Sequence, residues 1–196
     1  MLGHVSKIIK GENMMTNQNV AVVTARIEKT SYLIEKLKQV KEMKELGDKY
    51  QLNYDETTIN MYPGTNGFAV VIPVEQADAL LQKFVVAYYD EDHMVKNVKV
   101  MSLEYKDGES TFSFATSDET HKVSWNIENG ELKPVVNLSE KLQGQGVTDV
   151  LDCISKGWDR APLAVKIACG TACGGFFTGV GAAACLGCLA GFGITC

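Results

Sequence analysis

Six residues able to serve as thiolates, metal ligands or cross-links lie in the last quarter of this 196-residue chain: Cys153, Cys169, Cys173, Cys185, Cys188 and Cys196. Thiolates hold zinc or exchange disulfides, and paired thiols staple segments too small to bury a core of their own. Cys185-Leu-Gly-Cys188 has the C-x-x-C spacing that brings two sulfurs to one ion or to each other. Cys169 and Cys173 are four apart and share one face of a helix. Cysteine used as an ordinary small hydrophobe would be scattered through the fold. Residues 1–152 contain none, so the clustering itself is the signal.

Little else in the chain invites a chemical reading. His4, His93 and His121 stand among unlike neighbours, with no spacing that would join them in a metal or catalytic set. Asp90-Glu91-Asp92-His93 is the one acidic run that suggests a cation, yet hard cations need oxygens converging from defined positions, and this run reads as a solvated turn. We therefore expect no catalytic residue, no metal and no cofactor, and do not read the chain as an enzyme. A formal charge of −5 and a pI near 5.3 exclude nucleic acid as a partner, because gripping a phosphate backbone requires clustered Lys and Arg.

The elements that would carry these residues divide the chain. Between Thr30 and Gly47 the apolar residues Leu33, Ile34, Leu37, Val40, Met43 and Leu46 recur at steps of three and four, which predicts one amphipathic helix. Thr30 or Ser31 would cap its start and Gly47 would end it. After the turn signals Pro63-Gly64 and Thr65-Asn66-Gly67, the run Phe68 to Val74 predicts a buried strand. Asp78 to Tyr89 fits helix or strand equally. Then the period becomes two, at Val98 and Val100, at Phe112 and Phe114, and at Val123, Trp125 and Ile127, as half-buried antiparallel strands require. Lys106-Asp107-Gly108, Ser117-Asp118-Glu119-Thr120 and Glu128-Asn129-Gly130 supply the turns. The expectation is an α+β domain over residues 1–142, an antiparallel meander with one or two packed helices.

Gln143-Gly144-Gln145-Gly146 has the composition of a linker. Beyond it, residues 147–196 form a second unit: a short helix from Val147 to Trp158 limited by Pro162, then a Gly/Ala/Cys-rich stretch with no charged residue after Lys166. Four readings of this unit stay open. The uncharged run is long enough to cross a bilayer core of about 30 Å, and its glycines recur at small-xxx-small spacing. The other three readings are a compact cross-linked peptide that is mostly helical, an apolar tail lying in the domain's own core, and a zinc site of imperfect ligand spacing. Fifteen disulfide pairings of six cysteines are open.

The stretch Cys169-Gly-Thr-Ala-Cys173-Gly-Gly-Phe-Phe-Thr-Gly179, followed by Ala184-Cys185-Leu-Gly187 and the last Cys196, resembles the cysteine-rich peptides of the halocin C8 type. The resemblance covers roughly residues 150 to 196. It implies a bacteriocin-like precursor, whose N-terminal part is leader or immunity protein and whose C-terminal part is a secreted antimicrobial peptide. The partners expected on this reading are the target-cell membrane and the chain's own N-terminal domain, which would cover the tail. No apolar signal region follows the basic start Met1 to Lys10, so secretion would depend on processing of another kind. The alternative is a tail-anchored protein of the cell membrane with a cytoplasmic binding domain, for which Lys156, Arg160 and Lys166 would be the flanking cations.

Overall fold

The computed structural model describes residues 23–61, 67–76, 78, 80–120, 122–128 and 131–135. They form eight strands in one antiparallel sheet: β1 Val23–Arg26, β2 Thr58–Met61, β3 Phe68–Pro73, β4 Leu81–Tyr89, β5 Val95–Lys106, β6 Glu109–Thr116, β7 Lys122–Glu128 and β8 Glu131–Pro134. Strand order in the sheet is strand order in the chain, so each strand pairs with its neighbours in sequence. Two helices, α1 Tyr32–Leu37 and α2 Lys41–Lys49, and a 3-10 turn at Tyr54–Glu56 fill the connection from β1 to β2. The α+β meander expected from the sequence is the architecture observed.

The helical segment differs from the single helix expected. Ser31 does cap α1, its Oγ accepting from the Ile34 amide at 3.3 Å. The helix then breaks after Leu37. The amides of Gln39 and Val40 donate to the carbonyls of Lys36 and Leu37, and Val40 opens to an extended conformation at ψ 137°. The cause lies in the spacing. Ile34, Leu37, Val40, Met43 and Leu46 advance by threes, and at about 100° per residue a strict step of three falls about 60° behind each turn. One straight helix would carry Leu46 away from the face of Ile34. The break resets the stripe, and Ile34, Leu37, Met43 and Leu46 are all buried in one cluster. Gly47 does not end α2 but lies inside it; the helix closes at Tyr50, whose amide donates to the Leu46 carbonyl at 2.8 Å.

Register assigns every strand residue to one of two faces. On the helical face, Val70, Ile72, Val85, Ala87 and Val100 pack against the buried stripe of both helices. Phe68 stacks on its cross-strand partner Tyr89, with ring centroids 4.7 Å apart. The ambiguous stretch before Tyr89 resolves as β4. Its run Phe84-Val-Val-Ala-Tyr-Tyr89 is buried without interruption, which an amphipathic helix could not achieve. A register shift at Tyr88/Tyr89 bends β4 against β5.

The hairpins at Asp107-Gly108 and at Ser117–Thr120 follow the turn chemistry expected of them, while Asn129-Gly130 lies outside the described residues. Asp107 and Gly108 both take positive φ, 54° and 87°, between the paired residues Lys106 and Glu109, a two-residue turn matched to strand twist. The strands of period two, β5 and β6 among them, were expected to be half-buried, and here the structure departs, whereas β3 is buried as expected. The centres of β3, β4, β5 and β6 are buried on both faces. The linker at 143–146 and the unit at 147–196 lie outside the described residues, as do the glycine turns between Tyr62 and Asn66.

Candidate functional site

The face of the sheet turned away from the helices is the most unusual surface of the domain. Reading across the strands at one level, Phe84 stands opposite Met101 and Met101 opposite Phe114. One level along, Leu103 stands opposite Phe112 and Phe112 opposite Trp125. Met101, Leu103 and Phe114 are each 0 % exposed, and Phe112 and Trp125 are almost as deeply buried. The rings are organised: Phe112 stacks on Trp125 at 5.3 Å and meets Phe114 edge-on at 5.0 Å. Such pairs contribute beyond the area they bury. Both described helices lie on the other face.

One margin of this apolar face is polar. Lys99 lies in register between Val86 and Thr116 and is only 5 % exposed. Burial pulls its ammonium below the ordinary lysine range, and the nearby charge of Asp118 offsets part of that. A diagonal neighbour on the same face is Tyr88, whose fully buried hydroxyl makes no hydrogen bond and whose ionisation burial pushes far up. Burying a polar group unbonded costs free energy, so this margin stores a liability that an apolar residue would avoid.

The turn between β6 and β7 ties the two faces together. Asp118 Oδ1 accepts from the Thr116 hydroxyl and from the Thr120 amide at 3.1 Å, closing the turn on itself. The next residue, Glu119, takes φ 57°, a region costly for a side-chain-bearing residue. Its carboxylate reaches over to the helical side. There it accepts from Lys49 at 2.5 Å and from the Tyr50 phenol, and lies 3.5 Å from the Lys83 ammonium. Lys83 in turn donates to Tyr50 at 3.0 Å and sits over its ring. Partial burial would raise the Glu119 pKa, but hydrogen bonds from Lys49 and Tyr50 and the charge of Lys83 outweigh it and hold the carboxyl below its ordinary range. This is a structural latch.

Of the residues that drew attention in the sequence, Asp90 to His93 form the hairpin turn expected. Asp90 Oδ1 accepts from the amides of Asp92 and Met94 at 3.1 and 2.9 Å, and His93, at φ 60°, packs edge-on against Phe68 at 5.5 Å. Among the described residues no group of His, Cys, Asp and Glu converges on a metal position, and no helix is long and apolar enough to cross a membrane. His4, His121 and all six cysteines, Cys153, Cys169, Cys173, Cys185, Cys188 and Cys196, lie outside the described residues. Lys99, Tyr88 and Glu119 escaped the sequence reading. For Lys99 the signal was present: a period of two places it on the same face as Met101 and Leu103. No protein-family model, no curated protein and no solved structure matches this chain.

Proposed function

We propose that the chain is a bacteriocin-like precursor, in which the described sheet domain is the leader or immunity part and residues 147–196 are a membrane-active, cysteine-rich peptide released from it. The observation that carries this reading is the second face of the sheet. The domain covers one face with its own two helices, and the opposite face holds an aromatic, apolar layer that is buried although neither described helix lies there. An uncharged apolar segment carried in an acidic chain requires such a cover before release. The confinement of every cysteine behind the Gln143–Gly146 joint supports a separable, cross-linked module of helical character.

The test is direct. The culture supernatant is fractionated and the product weighed before and after reduction, and its effect on growing cells is measured. A peptide from the last fifty residues, gaining about 2 Da for each bridge reduced and inhibiting growth, is the expected result. Recovery of only intact, fully reduced chain in the cell interior would sink the proposal. Intact chain that stays in membranes through an alkaline carbonate wash would instead favour the tail-anchored reading.

A further inference from the structure

We infer that the second face of the sheet is the docking surface for this chain's own charge-free segment, Ile167 to Cys196. The inference rests on reading that segment as a module carried by the domain, and does not depend on its being toxic. An open sheet buries a face only beneath a second layer. On the helical side that layer is α1 and α2. On the other side Met101, Leu103 and Phe114 are fully buried although no described helix packs there.

Size, composition and charge select the occupant. From β3 to β7 the apolar face is five strands wide, about 24 Å at ~4.8 Å per strand. A helical layer crosses that width with about 16 residues at 1.5 Å rise. The run from Ile167 to Cys196 is thirty residues long and contains no Asp, Glu, Lys or Arg. Its rivals within the chain are charged: residues 1–22 carry Lys7, Lys10 and Glu12, and residues 136–166 carry both signs throughout. A charge laid on this face would be desolvated, and the one buried cation of the face among the described residues, Lys99, already has Asp118 nearby. The small residues of the segment suit the surface as well. Gly and Ala let a backbone approach closely, and the large rings of Phe112, Phe114 and Trp125 supply the volume from the sheet side.

Photo-cross-linking of the full chain tests the assignment. Benzoylphenylalanine replaces Gln82 in one variant and Ser110 in another, two half-buried positions on the second face, and replaces the exposed Tyr32 of α1 in a control. After irradiation, digestion and mass spectrometry, both face positions are expected to cross-link to peptides from Ile167 to Cys196, with loss of those products at Tyr32. Cross-links to residues 1–22, cross-links to a second copy that appear as dimers, or equal capture from Tyr32 would each overturn the assignment. The two proposals fail separately: tail cross-links from a chain whose released segment does not inhibit growth refute the toxin reading and leave the docking surface standing.

Discussion

Lys49 and Glu119, seventy positions apart in the chain, meet at 2.5 Å and join the last turn of α2 to the β6–β7 turn. The contact fixes the helical layer against the sheet at one corner, and the Tyr50 phenol and Lys83 complete it. Glu119→Gln is expected to lower stability by about 1 kcal/mol, the net worth of hydrogen bonds to a partly exposed carboxylate. Because its folded-state pKa is depressed, this contribution is present above the unfolded value of 4.5 and is lost as pH falls through the lower folded value. Thermal melts of wild type and variant should therefore differ at neutral pH and converge in acid. A constant difference across that range would show that the carboxylate charge is not what matters.

Gly47 offers a gain rather than a loss. It lies inside α2, and a Cβ built there meets no atom within 4 Å. Gly47→Ala should raise stability by about 0.5–1 kcal/mol, since the folded state accepts the methyl and the unfolded chain loses freedom. A raised urea midpoint with an unchanged slope is the expected observation.

Phe112 is the test of the second face as a packed layer. It touches both Phe114 and Trp125 and is almost wholly buried. Phe112→Ala should cost about 3–5 kcal/mol, in the range for large core truncations, whereas Tyr32→Ala at an exposed position of α1 should change stability by less than about 0.5 kcal/mol. Equal effects in denaturant titrations would mean that the aromatic face is not a core.

At the polar margin, Lys99→Met is expected to stabilise the domain by about 1 kcal/mol near neutral pH, because an ammonium there is desolvated with only partial compensation. The sign is set by linkage. A folded pKa below 10.5 makes wild-type stability rise as pH climbs toward that value, so the advantage of the variant should shrink in alkali. Denaturation at neutral pH and near pH 10 separates this from a simple packing effect, which would not change with pH.

Tyr88→Phe removes a buried hydroxyl that makes no hydrogen bond. The expected result is a gain of about 1 kcal/mol. A loss of similar size in the same titration would reveal a bonded hydroxyl.

Much of this architecture was legible in the residues. Val98 and Val100, Phe112 and Phe114, and Trp125 and Ile127 announced their strands by period, and Asp107-Gly108 its hairpin, because alternation and left-handed turn preference are local properties. The helix break was less legible. A three-residue spacing looks helical over two turns and shows its drift only over four. Double-sided burial was hidden for a different reason: Ser113 and Ala115 read as polar or small solvent-side partners of the phenylalanines, although both are buried, Ala115 in the cluster that includes the helices. Glu119 was beyond reach, since nothing near it in sequence announces partners at Lys49 and Lys83. Lys99 carries a local signal in its period of two, yet a lysine between valines suggests a solvated face until the neighbouring strands show otherwise.

The unbroken order of the sheet, each strand beside its predecessor, also sets a timetable. Every pairing closes a short loop, apart from the helical detour between β1 and β2, so no strand waits for a distant partner. Chains emerge from the ribosome N-terminus first and domains fold as they appear. The last described strand ends at Pro134, and the uncharged run begins more than thirty residues later. The sheet can thus finish assembling before the uncharged run has left the ribosomal tunnel, and that run then emerges beside a folded neighbour.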